Sequence, residues 1–309
     1  MSKEIKTVSL IGLGALGILT AHRFAKTMPR ESLKIIADKE RIDRYRQNGV
    51  YANGEAYDFN YVLPEAFSAP ADLIIFAVKY GALNEAVEAV RNQAGPNTLF
   101  LSLLNGITSE EIIAKAYSKE QVVYAVAQGM DALCENSRLT FSNPGTVFIG
   151  DPEEGVSSEK VRSVAAFFEK TGLPYAVDND IVRRMWGKFM LNVGINQAVA
   201  VFGENYGSAQ NEGQTRDVMI AAMREVIPLA QKNGINISEA DLPYWFKVID
   251  SLYPESKPSM RQDVEARRYS EVEMLSGAVL AMSEKYSVKS PVNEMLYRKI
   301  KEIEATYTA

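Results

Sequence analysis

Short apolar runs rich in Val, Ile and Leu alternate with amphipathic stretches over residues 1–178. Strands that are apolar on both faces belong in the middle of an α/β sandwich. Their alternation with helically spaced residues is typical of a parallel sheet with helical crossovers. The six runs are TVSLIGL, LKIIAD, ADLIIFAV, NTLFLSLL, QVVYAVA and TVFIGD. The pattern therefore predicts an N-terminal α/β domain.

The pattern changes after Asp178, because no strand-like alternation of any length returns. Four stretches with helical periodicity follow, at residues 181–202, 216–233, 262–285 and 292–303. Glycine and proline residues between them act as helix stops or starts. We therefore predict a second, all-helical domain over residues 179–309.

The first predicted strand leads into a glycine-rich loop that opens a helix, Gly12-Leu13-Gly14-Ala15-Leu16-Gly17. In a Rossmann unit the first glycine permits the tight turn, the second lets the backbone approach a pyrophosphate, and the third lets the helix pack on the strand. The N–H groups of the helix N-terminus then face the phosphates. Asp38 follows the second predicted strand, where such a unit binds the ribose. The first domain is therefore predicted to be of the Rossmann type and to bind a dinucleotide; the alternative is a structural glycine turn in another α/β protein.

The amino-acid composition limits the classes of partner and of catalytic group that this chain can use. Of 309 residues 47% are hydrophobic, enough for a sizeable core, and the net charge of −5 argues against a nucleic-acid partner. The single cysteine, Cys134, excludes an internal disulfide, and the single histidine, His22, excludes metal sites built from several histidines. We expect no metal. Proton transfer must then fall to Lys, Asp, Glu, Tyr or Ser, unless His22 itself lies in the site.

The N-terminal segment has features of a secretory signal, since Lys3 and Lys6 precede an apolar run from Thr7 to Ala21. Glu4 and the lack of a following Ala-x-Ala site argue against export. The run is also shorter than the roughly 20 apolar residues of a membrane-spanning helix. We therefore expect a cytoplasmic protein without membrane segments.

Three polar residues, Lys188, Asn192 and Asn196, recur at intervals of four in the first helix of the second domain. Each such step advances about 40° around a helix, so the three side chains form one stripe. Polar residues at this spacing usually line a solvated face, but the stretch 185–202 is otherwise almost wholly apolar. A buried lysine or asparagine needs partners or ligands, which favours a functional role.

A second polar segment begins at Ser259, where Ser259-Met-Arg-Gln262 follows Pro258 and precedes a helical run. The spacing predicts a capping box in which the Ser259 hydroxyl binds first-turn N–H groups. A hydroxyl at a helix N-terminus can also hold a substrate carboxylate. Glu271 lies further along this run among other acids, and by itself it has the pattern of a surface residue.

At this point the chain resembles the ketopantoate reductase (2-dehydropantoate 2-reductase) family of pantothenate biosynthesis. The likeness runs in register over nearly the whole chain and uses motifs of both domains. These motifs are GLGALG, AVK ending at Lys79, LLNGI with Asn105, WGKFMLNVGIN with Lys188, and SMRQDVEARRYSEVEMLSG with Ser259 and Glu271.

The resemblance implies reduction of a 2-oxo acid by hydride transfer, with Lys188 as the proton donor to the carbonyl oxygen. Burial can bring a lysine pKa towards the working pH, and the ammonium stabilises the developing oxyanion. The family's other site residues correspond to Glu271, which accepts the substrate hydroxyl, Ser259 at the carboxylate, Asn192 and Asn196, which orient the substrate, and Lys79 and Asn105 near the nicotinamide ribose and the substrate.

The implied cofactor is NADP, with one departure from the family pattern. Family members usually carry a basic residue at the end of the second strand for the 2′-phosphate, whereas this chain has Asp38. An acid there favours the ribose hydroxyls of NAD, while Lys39 and Arg41 directly after it can restore phosphate binding. We expect NADP, with NADH use allowed by Asp38.

Two alternatives stay open from the sequence. The first is a reductase of another branched 2-oxo acid. The residues that would contact the two methyl groups of ketopantoate are apolar and have no recognisable sequence signature. The second is a non-catalytic regulator that senses NAD(P), against which Lys188 and Glu271 both count. The apolar helices of the second domain leave a homodimer open.

Overall fold

The computed structural model describes residues 3–307. The chain divides into two compact units, Met1–Ile181 and Val182–Ala309. The first unit contains sheets and helices, and the described part of the second contains helices alone. The division lies three residues beyond the boundary expected from the sequence at residue 178. The fold class is thus an N-terminal Rossmann-type domain followed by an all-helical C-terminal domain.

The strands of the first unit are β1 (Val8–Ile11), β2 (Leu33–Ile36), β3 (Val50–Ala52), β4 (Glu55–Tyr57), β5 (Asn60–Val62), β6 (Leu73–Phe76), β7 (Leu99–Ser102), β8 (Val122–Gln128), β9 (Leu133–Glu135), β10 (Arg138–Thr140), β11 (Thr146–Gly150) and β12 (Tyr175–Val177). Its α-helices are α1 (Ala15–Ala25), α2 (Lys39–Asn48), α3 (Leu83–Ala89), α4 (Ser109–Ala116) and α5 (Glu159–Thr171).

The main sheet has the strand order β12-β11-β8-β7-β6-β1-β2-β5. The six strands from β5 to β8 are all parallel, and their order is that of a Rossmann dinucleotide-binding fold. The strand order reverses between β1 and β6, and ligands bind such folds at the carboxyl ends of the strands beside this point. The glycine-rich loop follows β1 directly.

The structure confirms all six strands predicted from apolar runs, which are β1, β2, β6, β7, β8 and β11. The central strands β1, β2, β6 and β7 are mostly buried on both faces. The sheet is parallel over six strands, as expected, and β11 adds one antiparallel pairing with β8. A four-stranded sheet, β4-β3-β10-β9, was not predicted. Its strands are three residues long and partly exposed, so they carry no continuous apolar run.

The helices of the second unit are α6 (Ile181–Phe202), α7 (Tyr206–Gln210), α8 (Gln214–Lys232), α9 (Leu242–Asp250), α10 (Ser259–Glu265), α11 (Ala278–Tyr286) and α12 (Pro291–Glu304), with a π-helical turn at Glu273–Gly277. No helix within residues 3–307 is both long and apolar enough to span a membrane.

Three of the four predicted helices correspond to α6, α8 and α12. The continuous helix predicted over residues 262–285 is wrong, because α10 ends at Glu265 and regular α-helix resumes only at Ala278. Arg267 adopts a positive φ of 51° in the interruption. The prediction also missed α9, in which Pro243 stands in the first turn, where its missing N–H costs nothing.

Close helix packing around α6 depends on two glycines. A Cβ atom at Gly187 would collide with the Trp245 ring of α9, and one at Gly194 would lie 2.6 Å from Met223 Cγ and 2.8 Å from the Met219 carbonyl oxygen of α8. The neighbouring helices therefore approach the backbone of α6 itself. This packing immobilises the helix that carries Lys188.

We predict that Gly194→Ala lowers the free energy of unfolding by about 1–3 kcal/mol, as overpacked cores do. In an open helix the same change would stabilise the protein by up to about 1 kcal/mol. Gly81→Ala is the control, since a Cβ there meets nothing within 4 Å. Urea unfolding of both variants measures the difference, and a Gly194→Ala protein at least as stable as the parent would contradict the close packing.

Candidate active site

The glycine loop of the first unit has the geometry that each glycine was expected to provide. Gly12 has φ +99°, and a Cβ there would lie 2.5 Å from the Ala77 carbonyl oxygen. A Cβ at Gly17 would collide with the Gly12 carbonyl oxygen, whereas one at Gly14 meets nothing within 4 Å. The first and third glycines are therefore required for the turn and for packing. The second leaves open space beside the start of α1.

The N-terminus of α1 lies at this open space. Gly14 is the N-cap residue and has no side chain to bind the first N–H groups, and the first turn, which includes Ala15 and Leu16, carries no acid. Unbound N–H groups and the helix dipole favour an anion at such a position. Leu13 is buried under the loop and supports it from the core side.

Other predicted residues of the first unit follow neighbouring parallel strands. Asp38 follows β2, Lys79 follows β6, and Asn105 follows β7. Because the carboxyl ends of parallel strands share one edge of a sheet, these residues and the glycine loop lie along the same edge. Lys79 is exposed and Asn105 partly exposed, so both can reach a ligand.

Asp38 accepts two hydrogen bonds from one residue of α2, Arg41. One carboxylate oxygen accepts a hydrogen bond from the Arg41 backbone N–H at 2.7 Å, which makes Asp38 the N-cap of α2, and the other accepts from the Arg41 guanidinium. The Arg41 N–H holds the pKa of Asp38 below its usual value. Lys39 pairs with Asp43 at 2.5 Å. The two cations proposed for a 2′-phosphate therefore each have an acidic partner within α2.

His22 lies in the core of the first unit. It is 4% exposed, its Nδ1 lies 3.2 Å from the Ile18 carbonyl oxygen, and its ring packs edge-on against Tyr57. Burial lowers its pKa and so favours the neutral ring. The histidine has a packing role, which removes the option of a His22-based mechanism. No cluster of three or more metal-binding side chains occurs among the described residues.

In the second unit, α6 and α10 bring three of the predicted residues together. The Asn196 side-chain amide donates to Asn192 Oδ1 at 3.2 Å, and the Ser259 hydroxyl donates to Asn196 Oδ1 at 3.3 Å. Asn196 is only 8% exposed, as the apolar surroundings of the stripe led us to expect. The two helices thus present a connected set of amide and hydroxyl groups.

The predicted capping box at Ser259 is wrong. Pro258 is the N-cap residue of α10, Ser259 is the first helical residue, and no side chain caps the helix. The Ser259 hydroxyl binds Asn196 instead, and the Gln262 side chain donates to the Lys257 carbonyl at 2.9 Å. A tertiary contact therefore replaces the local one that the spacing suggested.

Lys188 occupies the same stripe one turn before Asn192. Burial lowers its pKa to about 8, and the charge of Glu271 opposes that shift. The side chain nevertheless keeps part of its surface exposed. An ammonium with this pKa is largely protonated at neutral pH and releases its proton far more readily than an ordinary lysine, which suits it to general acid catalysis.

One buried acid of the first unit was not found from the sequence. Glu110, at the start of α4, is 2% exposed, and burial raises its pKa to about 7. Its carboxylate accepts from the Ser109 hydroxyl at 2.9 Å, which in turn accepts from Ser102 at 2.8 Å; the Ser102 hydroxyl accepts the Leu104 N–H. This chain ties down the turn that carries Asn105. In the sequence Glu110 has only the pattern of a helix first-turn acid.

Comparison with known proteins gives two matches along the chain to one family. The family described as "Ketopantoate reductase PanE/ApbA" matches residues 8–154, and its C-terminal part, "Ketopantoate reductase PanE/ApbA C terminal", matches residues 180–304. A curated relative from Aquifex aeolicus, named 2-dehydropantoate 2-reductase, is 26% identical over 94% of this chain and 95% of its own length.

Two solved structures show the same fold. D-mandelate dehydrogenase with NADH and anilino(oxo)acetate has a TM-score of 0.86 and 21% identity, over 98% of this chain and all of that one. A PanE/ApbA family ketopantoate reductase from Ralstonia eutropha JMP134 has a TM-score of 0.82 and 20% identity, over 97% and 99%. Since both of its parts match one family, the chain belongs to the ketopantoate reductase family of oxidoreductases and is an enzyme.

Proposed function

We propose that this enzyme reduces 2-dehydropantoate (ketopantoate) to pantoate with a reduced nicotinamide dinucleotide, a step of pantothenate biosynthesis. The observation that carries the proposal is Lys188, whose pKa is brought to about 8 on the same stripe of α6 as the linked amides of Asn192 and Asn196. The relative from Aquifex aeolicus is named for this reaction, which supports the substrate assignment. Cys134, the single cysteine, fits the reducing cytoplasm.

The residues of the first unit fit a dinucleotide. The space at Gly14 and the uncapped first turn of α1 would hold its pyrophosphate, and Asp38 would lie at its adenosine ribose. Lys79 and Asn105 would contact the nicotinamide ribose and the substrate. A bound nicotinamide supplies the hydride. The related D-mandelate dehydrogenase structure contains NADH, which supports this class of cofactor.

In the second unit Lys188 would give its proton to the substrate carbonyl oxygen as that oxygen becomes an alkoxide. Until the proton leaves, the positive charge stabilises the oxyanion. Asn192 and Asn196 would orient the substrate, with Ser259 at its carboxylate. Glu271 would accept the substrate hydroxyl, and its negative charge keeps the pKa of Lys188 from falling further.

A reductase of another 2-oxo acid is the second candidate, supported by the likeness to D-mandelate dehydrogenase, whose name denotes a 2-hydroxy acid substrate. The same acid and amide groups would serve either substrate, because both reactions develop charge on a 2-oxo oxygen. Membership in an enzyme family removes the alternative of a non-catalytic regulator. A homodimer stays a prediction.

We expect a panel of 2-oxo acids, followed by loss of nicotinamide absorbance, to give the highest kcat/KM with ketopantoate. Lys188→Met should lower kcat with that substrate by about 10²-fold or more, since both proton donation and oxyanion stabilisation are lost. Cofactor binding, measured by fluorescence, should change little. Lys247→Met, at an exposed lysine of α9, is the matched control. Turnover of Lys188→Met near that of the parent would refute the mechanism, and a different best substrate would favour the second candidate.

We further propose NADP as the preferred cofactor, with appreciable use of NADH. The cations of α2, Lys39, Arg41 and Arg44, outnumber its acids near Asp38, and a 2′-phosphate could take the place of Asp38 as the partner of Arg41. Asp38 opposes this choice by repelling the phosphate.

Asp38→Asn tests this balance and keeps an N-cap side chain, because asparagine caps helices about as well as aspartate. We expect it to raise kcat/KM for NADPH relative to NADH, and Arg41→Ala to lower that ratio, each by about threefold to tenfold. Arg46→Ala, at the exposed far end of α2, is the control. An unchanged ratio in Arg41→Ala, together with a parent enzyme that prefers NADH, would assign NAD as the cofactor.

A further inference from the structure

The last helix, α12, carries a polar stripe that binds other parts of the second unit. Its residues Asn293, Tyr297, Lys301 and Glu304 follow one another at intervals of four, four and three, which places them on one side of the helix. Asn293 and Glu304 are buried. Buried polar groups must be bound to partners, and each residue of this stripe has a partner in one short segment, residues 270–276.

Glu304 holds the start of that segment. Its Oε1 accepts two hydrogen bonds from Ser270, one from the backbone N–H at 2.8 Å and one from the hydroxyl at 2.6 Å. Its Oε2 lies 3.4 Å from Lys301 Nζ. With 3% exposure, this carboxylate is one of the most deeply buried acids among the described residues of the second unit. Ser270 is the residue immediately before Glu271.

The rest of the stripe holds the residues after Glu271. The Tyr297 hydroxyl donates to Glu273 Oε1 at 2.9 Å, and Lys301 Nζ donates to the same oxygen at 3.3 Å. Asn293 Oδ1 accepts from the Ser276 hydroxyl at 3.0 Å. Asn293 is itself fixed by Glu225 of α8, whose carboxylate accepts its amide at 2.8 Å. Glu271 therefore lies between two points that α12 holds.

The segment needs such support because it is not regular α-helix. Arg267 has a positive φ of 51°, and the Gly277 N–H reaches back five residues to the Val272 carbonyl at 3.0 Å in the π-helical turn. Single π-helical turns are rare and occur frequently at functional sites. The local sequence favours a continuous α-helix, and for that reason we predicted one over residues 262–285. Tertiary contacts must therefore stabilise the observed conformation.

We propose that the polar stripe of α12 positions Glu271 for substrate binding, with Glu304, Tyr297 and Asn293 as positioning residues. The inference rests on the proposed function, in which Glu271 accepts the substrate hydroxyl. The stripe fixes the backbone on both sides of Glu271 and so fixes where its carboxylate meets the substrate and the charge of Lys188.

Steady-state kinetics with ketopantoate test this. We expect Glu304→Ala to raise KM for ketopantoate by about tenfold while KM for the dinucleotide stays within about twofold, since small displacements of a binding group weaken only its own ligand. Glu304→Gln keeps an acceptor for Ser270 and should restore most of the loss. Glu302→Ala, at an exposed acid of the same helix, is the matched control and should leave both constants unchanged. Tyr297→Phe removes one hydrogen bond and should raise KM for ketopantoate about threefold. It provides the test if Glu304→Ala does not fold.

A double-mutant cycle separates positioning from a general structural effect. If Glu304 acts through Glu271, Glu304→Ala adds little to the KM increase of Glu271→Ala; independent effects would multiply. Multiplicative losses, or an unchanged KM in both Glu304→Ala and Tyr297→Phe beside a raised KM in Glu271→Ala, overturn the positioning role and leave the proposed function standing. A parent-like KM for ketopantoate in Glu271→Ala overturns the proposed substrate contact and the positioning role together.

Discussion

The proposed mechanism depends on holding one ammonium group where water solvates it poorly. Lys188 lies on α6, a helix most of whose other side chains are apolar and buried. The cost of desolvating a cation lowers the pKa of Lys188 to about 8, and the charge of Glu271 limits the fall. A chain with one histidine, itself buried in the core of the first unit, thereby obtains a group that can act as a general acid near neutral pH.

Packing and hydrogen bonds along α6 and its neighbours support this position of Lys188. Gly187 and Gly194 let α9 and α8 approach the backbone of α6, so both helices pack closely against the helix that carries the lysine. The Asn196 side chain donates to Asn192 and accepts from Ser259, so the most deeply buried amide of the stripe is hydrogen-bonded in its apolar setting. The π-helical turn and the polar stripe of α12 position Glu271, the acid whose charge opposes the lowering of the Lys188 pKa. The contacts that fix the positions of Lys188 and Glu271 thus also determine how the charge of Glu271 acts on the pKa of Lys188.

Much of this arrangement could be predicted from the sequence, for identifiable reasons. Central strands such as β1 and β6 are apolar on both faces, and the glycine loop has a spacing that few other structures require. Lys188 stood out because its helix is otherwise mostly apolar.

Other features could not be predicted. Ser259 was assigned to the site and also to a helix cap, and the cap was wrong because the Ser259 hydroxyl binds Asn196, which is distant in sequence. Periodicity also continued through residues 266–277, where tertiary contacts impose a different backbone. Glu304 and Glu110 look like surface acids, since burial of a single charge leaves no periodic signal. Glu271 could be assigned only through the family resemblance.

Burial, opposed by the charge of Glu271, sets the proton affinity of Lys188. Heteronuclear NMR of the enzyme labelled with ¹³C at lysine Cε measures it directly, and the spectrum of the Lys188→Met protein identifies the signal that belongs to this residue. We expect a titration midpoint at about pH 8 for Lys188. A midpoint near the ordinary lysine value of about 10.4 would contradict it.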